Sequence, residues 1–250
     1  MQLAELVRYL DDYLRVREVR DYPDALNGLQ VENAGQVTRI GAAVDLCEAT
    51  VRLAATQGVD LLLVHHGLFW GGVRPIVGPR QRRLAGLVRH NIAVYSSHLP
   101  LDRHPEVGNN TLVARALGVV LRGEFGMHEG VPIGVWGELS IDRAALQQKI
   151  AAALGSIPRL MPFGPGVVRL VGVLTGAGGS MIADAAAAGL DTYVTGEGSH
   201  HTFFDAEELG MNVFYAGHYA TETAGVKALA EHVSTRFGVP WVFLDHPTGL

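Results

Sequence analysis

A chain of 250 residues is long enough to bury a substantial core, either in one large domain or in two closely packed smaller ones. Hydrophobic residues make up 48% of it, charged residues 18%, and the formal net charge is −5. This composition excludes a disordered or fibrous chain and gives no general attraction to nucleic acid or anionic lipid. No apolar run reaches the roughly 18–20 residues of a membrane span. Glu5 and Arg8 interrupt the apolar core that an export signal needs. We therefore expect a cytoplasmic protein that is not inserted in a membrane.

The first half of the chain alternates between predicted helices and strands. Helically spaced leucines at the N-terminus lead into a loop at Pro23 and Asn27-Gly28, after which three strands alternate with two helices. The predicted strands are RIGAAVDL, VDLLLVHHG and IAVYSSH. The middle strand is continuously apolar up to its end, which is typical of a parallel strand covered on both faces. The segment predicts a β-α-β-α-β unit whose strands end at one edge of the sheet.

A second alternation of strands and helices begins near Val167 and ends near His218. ATQGVDLLLVHHG is similar to AAAGLDTYVTGEGSHH, and HNIAVYSSH is similar to GMNVFYAGH, which indicates a weak internal repeat. Any two βαβ units share part of this pattern, so duplication is one of two open explanations. The stretch from 126 to 165 predicts a small αβ extension. We expect an α/β fold of two similar αβ lobes, 1–125 and 126–250, packed as one structural unit.

The cysteine and histidine counts restrict the chemistry. One cysteine, Cys47, forms neither an internal disulfide nor a Cys-rich zinc site. The sequence contains no Gly-x-Ser-x-Gly elbow, so nucleophilic catalysis has no strong candidate. Eleven histidines include the adjacent pairs His65-His66 and His200-His201. Any bound metal must therefore be held by nitrogen and oxygen ligands.

Polar side chains lie at the ends of three predicted strands. They are His65 and His66 after LLLV, His98 and Asp102 in SSHLPLD, and His218 and Glu222 in YAGHYATE. Ligands of open α/β sheets bind beyond the carboxyl ends of the strands, so these side chains can converge. Three imidazoles and two carboxylates are too many donors for one open tetrahedral site, but they suit two ions about 3.5–4 Å apart. We predict a dinuclear centre of Zn, Mn, Fe or Co held by His65, His66, Asp102, His218 and Glu222.

Other residues receive weaker assignments. Adjacent histidines on a strand point to opposite sides, which suits two neighbouring ions. His98 is a candidate for orienting a ligand or substrate, and Trp70, Tyr219 and His201 are candidate pocket walls. TGAGGS, from Thr175 to Ser180, is either a tight turn or an anion-binding loop. The basic run RQRR at 80–83 is expected to be the solvent-exposed start of a helix.

Four segments resemble the Nif-three-like family, whose members are also called GTP cyclohydrolase type 2 proteins. They are ALNGLQVE, VDLLLVHHGLFW, SSHLPLD followed by GNNTLVARALG, and TGEGSHHTFFDAEELGMNVFYAGHYATET. The resemblance implies a dinuclear metal centre in a cleft between two similar αβ lobes, and a toroidal homohexamer. By motif position it implies the same five ligands. Gly67 and Pro100 stand where the family usually has proline and asparagine.

Two functions are compatible with these residues and with the resemblance. The first is a metal-dependent hydrolase of a small molecule, such as a nucleotide, in which an ion pair lowers the pKa of bound water. The second is a non-catalytic hexameric ring that acts as a scaffold or binds single-stranded nucleic acid or a protein partner. We favour the hydrolase.

Overall fold

Interleaved parts of the chain form two packing units in the computed structural model, which describes residues 1–250. Unit 1 comprises Met1–Leu101 and Gly225–His246, and unit 2 comprises Asp102–Ala224 and Pro247–Leu250. Packing units and domains need not coincide, so the boundary expected at residue 125 stays a prediction. No helix has both the length and the hydropathy that crossing a bilayer requires.

Unit 1 is built on a five-stranded sheet. Its strands are β1 (Gly28–Val31), β2 (Ile40–Asp45), β3 (Leu61–His66), β4 (Ala93–Ser96) and β11 (Trp241–Phe243). The strand order is β1-β4-β3-β2-β11, and only β1 is antiparallel to its neighbour. Every residue of β3 is buried, as its continuous apolar character predicted. The sheet therefore brings the ends of β2, β3 and β4 to one edge.

The helices of unit 1 precede or connect these strands. They are α1 (Leu3–Tyr13), α2 (Glu48–Thr56) and α3 (Pro79–Arg89), followed by the short α4 (Leu99–Asp102), which ends in unit 2. Unit 1 also contains the larger part of α9 (His218–Phe237), from Gly225 onward. At the start of α2, the Thr50 hydroxyl accepts a hydrogen bond from the Cys47 amide at 2.9 Å. The segment RQRR lies in the first turns of α3, as predicted.

Unit 2 is built on a six-stranded sheet of order β5-β6-β8-β9-β10-β7. Its strands are β5 (Val120–His128), β6 (Val131–Asp142), β7 (Arg159–Pro162), β8 (Val167–Val173), β9 (Thr192–Thr195) and β10 (Asn212–Tyr215). The helices are α5 (Asn109–Ala116), α6 (Arg143–Leu154), α7 (Ile182–Ala187), α8 (Thr202–Glu208) and the start of α9 (His218–Phe237). The predicted αβ extension corresponds to β6 and α6.

The two units share a topology. In each, a helix and a short strand precede three parallel strands, and the short strand pairs antiparallel with the third of them. Thus α1, β1, β2, β3 and β4 in unit 1 correspond to α6, β7, β8, β9 and β10 in unit 2. The expectation of two similar αβ lobes is confirmed by this correspondence.

A substitution at Leu62, in the middle of β3, tests how much the buried core of unit 1 contributes to stability. Leu62 is 0% exposed and belongs to the cluster that includes Val51, Leu87 and Val94. We expect Leu62→Ala to lower the free energy of unfolding by about 2–5 kcal/mol, because a cavity replaces the removed atoms. The control Ile157→Ala, at a residue that is 83% exposed, should change it by no more than about 0.5 kcal/mol. Urea titration gives both values, and equal effects would contradict this account of the core.

Candidate metal centre

Three histidines cluster at the ends of β3 and β4 in unit 1. His65 and His66 are the last residues of β3, and His98 follows β4 by two residues. All three are buried, and they offer ligand atoms that lie within 4.8 Å of one another. The ring centroids of His65 and His66 are 4.8 Å apart, so the two rings converge at the strand end instead of pointing to opposite sides. The expectation that adjacent histidines diverge is therefore wrong here.

Each ring of this cluster is oriented by a hydrogen bond at Nδ1. His65 Nδ1 lies 2.9 Å from the carbonyl oxygen of Ser97, just beyond β4, and His66 Nδ1 lies 2.8 Å from Asp45 Oδ1, at the end of β2. His98 Nδ1 lies 2.8 Å from Asp21 Oδ1. A carbonyl or an ionised carboxylate only accepts hydrogen bonds, so Nδ1 carries the proton in each ring. Each imidazole therefore presents Nε2 as its ligating atom.

Asp21 fixes His98 through several bonds. Its carboxylate also accepts hydrogen bonds from the Asn27 side-chain amide at 2.8 Å and from the Leu99 backbone amide at 2.9 Å. Burial by itself would raise the pKa of Asp21, but the hydrogen bonds and the charge of His98 outweigh it and lower that pKa below its usual value. Asp21 is thus an ionised acceptor that sequence analysis did not identify.

Two partly exposed aromatic rings flank the histidine cluster. Trp70, a predicted pocket wall, is 39% exposed, and its ring centroid lies 4.5 Å from that of His66 and 4.6 Å from that of His98. Tyr22, which sequence analysis missed, is 44% exposed and lies 5.9 Å from the His98 ring. Both rings offer an apolar face beside the imidazoles.

Gly67, which directly follows the histidine pair, packs against the side chain of Gln30. A Cβ atom at Gly67 would lie 2.3 Å from Gln30 Oε1, which accepts a hydrogen bond from the Leu68 amide at 2.7 Å. Gln30 Nε2 in turn donates to the Leu26 carbonyl at 2.8 Å. The absence of a side chain at Gly67 therefore lets Gln30 fix the backbone directly after the histidine pair.

His218 and Glu222 form the second cluster, in unit 2. Helix α9 begins at His218, so the two side chains are one turn apart on one face, as predicted. His218 Nε2 lies 3.2 Å from Glu222 Oε2, and His218 Nδ1 lies 2.7 Å from Glu197 Oε1. Glu222 is 2% exposed. His218 therefore lies between two carboxylates, one at each ring nitrogen.

The two carboxylates change the acidity of His218. Burial, the largest single influence, lowers its pKa, but the hydrogen bonds and charges of Glu222 and Glu197 together raise the pKa to about 9. In the metal-free protein this imidazole therefore holds both of its protons at neutral pH. A metal ion that binds Nε2 must displace one of them.

The turn at Gly176 brings the backbone close to Glu222. Gly176 has φ +68°, and a Cβ atom there would lie 2.2 Å from Glu222 Oε1 and 3.4 Å from His218 Nε2. The Gly176 amide donates a hydrogen bond to the Thr221 hydroxyl at 3.0 Å, which fixes the turn against α9. Only a residue without a side chain leaves this space to the carboxylate.

Asp102 lies beside the same turn. It is 5% exposed, and its Oδ1 accepts hydrogen bonds from Asn109 Nδ2 at 2.8 Å and from Thr175 Oγ1 at 3.3 Å. Thr175 immediately precedes Gly176, so one turn contacts both Asp102 and Glu222. Three of the five predicted ligands thus belong to unit 2, and the other two belong to unit 1 together with His98.

The remaining predicted residues have other surroundings. Tyr219 is 7% exposed, and its amide donates to the Leu250 carbonyl at 3.2 Å. His201 is exposed directly before α8, and its role as a pocket wall stays a prediction. In TGAGGS, the amides of Thr175, Gly176, Gly178 and Gly179 donate to acceptors of the chain itself. This loop is therefore a structural turn, the first of the two predicted alternatives.

The raised pKa of His218 predicts how the stability of the metal-free protein depends on pH. Because the folded protein holds this proton more tightly than an unfolded chain, with its pKa of about 6.5, the stabilisation is complete below about pH 6.5. It is lost as the pH rises through the folded pKa of about 9. We expect the melting temperature of chelator-treated protein to fall over this range, and this fall to disappear in His218→Asn. The control His200→Asn, at an exposed histidine, should keep it, and identical profiles for both variants would contradict the assignment.

Comparison with known proteins places these residues in a family. The family model of Duf34/NIF3 (NGG1p interacting factor 3) matches residues 1–248. A Deinococcus radiodurans protein named GTP cyclohydrolase 1 type 2 homolog is 46% identical over 249 residues, which cover 98% of this chain and 94% of that protein. An Archaeoglobus fulgidus protein of the same name is 42% identical, with 100% of both chains covered. The crystal structure of TTHA1606 from Thermus thermophilus is 46% identical, covers 100% of both chains and has a TM-score of 0.91. The chain belongs to the Duf34/NIF3 family.

Proposed function

We propose that the protein is a metal-dependent hydrolase of a small molecule, with nucleotides as the favoured substrates. In this proposal His65, His66, Asp102, His218 and Glu222 hold two divalent ions. The observation that carries it is the hydrogen bond at Nδ1 of each histidine, which directs Nε2 as a ligand in the manner of metal-binding imidazoles.

The donor set supports a divalent ion. Buried imidazoles and carboxylates, with no thiolate among them, suit Zn, Mn, Fe or Co. Gly176 has no side chain and leaves space for the Glu222 carboxylate, which the Cβ atom of an alanine at this position would displace. This close fit supports a functional role for the position of Glu222. Two ions held by these residues would supply Lewis acidity and lower the pKa of water.

The surrounding residues orient the ligands and the substrate. Asp45 and Glu197 accept hydrogen bonds from Nδ1 of His66 and His218, so that Nε2 of each ring is the nitrogen that a metal ion would bind. Trp70 and Tyr22 offer aromatic faces on which a planar ring of the substrate can stack. A nucleobase has such a ring, which favours nucleotides within the class of small molecules.

Assembly is part of the proposal. The resemblance implies a toroidal homohexamer, and a cytoplasmic protein with only 18% charged residues has apolar surface to cover. Val73, Ile76 and Val77, which follow the histidine cluster in the chain, are exposed apolar side chains of unit 1. They support an interface between copies of this chain.

Gly176→Ala tests the position of Glu222. The new Cβ would displace the carboxylate, so we expect a folded protein that retains less metal than the wild type in elemental analysis. Gly189→Ala is a matched control, because Gly189 also has a positive φ, of +77°, but a Cβ placed there would have no atom within 4 Å. This control carries the same backbone strain of about 1–2 kcal/mol and should keep its metal. Full metal content in both variants would remove Glu222 from the ligand set.

Turnover separates the hydrolase from the non-catalytic ring. We expect metal-replete protein to hydrolyse at least one member of a panel of nucleotides, phosphodiesters and cyclic amides. Asp102→Asn should reduce that rate at least about 100-fold, because it removes a ligand charge, whereas His201→Ala should keep its metal and impair the reaction. Ile157→Ala, at a residue that is 83% exposed, is the control for an unrelated surface change. Fully metal-loaded protein with no activity on the whole panel would favour the scaffold.

A further inference from the structure

A groove of about 570 Å³ runs between α2 and α3 of unit 1. Its size lies within the range of about 300–1,000 Å³ that is usual for small-molecule sites. Small and apolar residues, among them Val51, Ala55 and Gly86, form part of its lining. The charged or titratable lining residues are Glu48, Arg52, Arg82, Arg83, Arg89 and His90. None of these residues is a proposed metal ligand.

The groove follows from the way in which the two helices pack. Both connect successive strands of the parallel order β4-β3-β2. Because such crossovers are right-handed in proteins, the two helices lie side by side on one face of the sheet and run in the same direction. Gly86 permits their close approach, since a Cβ atom there would lie 2.9 Å from Val51 Cγ1. Arg83 Nη1 donates to the Leu46 carbonyl at 2.9 Å and ties α3 to the start of α2. The groove is therefore built into the fold of unit 1.

Contacts along the two helices give their register. Glu48 at the start of α2 binds Arg82 near the start of α3, and Val51 meets Gly86 one turn further on. Arg52 is thus level with the middle of the groove, and Arg89 lies two turns after Arg82 on the same helix face. Arginines from both helices therefore line the same short channel.

The charge of the groove is opposite to that of the whole chain. Four guanidinium groups line it with one carboxylate, that of Glu48, although the formal net charge of the protein is −5. Glu48 is already bound by Arg82 through three contacts of 2.8 to 3.0 Å. Arg52 and Arg89 are exposed. The groove thus has positive charge available for an anion.

The dimensions select the class of anion. The lining spans about two turns of each helix, or roughly 12 Å. This length holds one small ligand, whereas a protein partner needs about 800 Å² of surface and nucleic acid needs a longer basic stripe. Arginine binds phosphate oxygens through paired N–H groups. A small molecule with two or three linked phosphates matches both the length and the charge.

We propose that the α2–α3 groove binds a small phosphorylated molecule through Arg52 and Arg89, at a site separate from the metal ligands. Arg82 and Arg83 keep their contacts with Glu48 and Leu46 and shape the groove. Val51 and Gly86 form part of its apolar lining. The proposal does not depend on the hydrolase activity.

Calorimetric titration with sodium tripolyphosphate tests the groove. We expect the double variant Arg52→Ala, Arg89→Ala to bind at least tenfold more weakly than the wild type at the same salt concentration. Both residues are exposed, so the variant should fold normally. The matched control Arg17→Ala, Arg169→Ala also removes two exposed arginines and should bind within twofold of the wild type.

Because tripolyphosphate also binds divalent ions, the same arginine changes are made in Glu222→Ala protein. If Glu222→Ala alone abolishes tripolyphosphate binding and the arginine changes have no further effect, tripolyphosphate binds at the metal centre. This result would contradict the groove proposal and would be compatible with the proposed metal ligands. No binding to the wild type at millimolar tripolyphosphate would also overturn it. Two further outcomes that require the same arginines would contradict the proposal, because the ligand would then be a polymer. One is binding of single-stranded oligonucleotides that becomes tighter with their length, and the other is tighter binding of polyglutamate than of tripolyphosphate.

Discussion

The arrangement of the candidate centre depends on the hydrogen bond that each histidine makes at Nδ1. In unit 1 the acceptors come from the ends of the strands on either side of β3: Ser97 follows β4, and Asp45 ends β2. The parallel register of the sheet pairs Asp45 with His66 directly. Because the acceptors are fixed by strand pairing, the imidazole rings are already oriented before a metal ion binds. Metal binding therefore costs little side-chain conformational entropy.

The shared topology of the two units makes His98 and His218 corresponding residues. Each follows the third parallel strand of its unit, and each has a carboxylate at Nδ1, namely Asp21 for His98 and Glu197 for His218. The ends of the middle strands differ, because β3 ends in two histidines and β9 is followed by Gly196 and Glu197. One framework therefore supplies mostly imidazoles in unit 1 and mostly carboxylates in unit 2.

Much of the fold and the residue types of the site could be predicted from the sequence. The apolar run before His65 predicts a buried parallel strand, and the spacing of His218 and Glu222 predicts one helical face; both predictions are confirmed. The short strands β1 and β7 were missed, because β1 begins at Gly28, in the predicted loop, and β7 ends at Pro162, a residue type that usually marks turns and loops. The acceptors were missed for another reason. Asp21 lies in a loop 77 residues before its partner, and the Ser97 acceptor is a backbone carbonyl, which every residue has.

The glycines near the buried carboxylates are better explained by the close approach of neighbouring parts of the chain than by anion binding. A Cβ atom at Gly196 would lie 2.5 Å from the Gly176 carbonyl oxygen and 2.8 Å from the His218 Cα. Gly176 itself leaves room for Glu222. The amides of this turn are already satisfied by Thr221 and Thr195. The glycines are therefore explained by crowding, because the ends of two strands and the start of α9 pack against one buried carboxylate, that of Glu222. A methyl group added at Gly176 would displace this carboxylate directly.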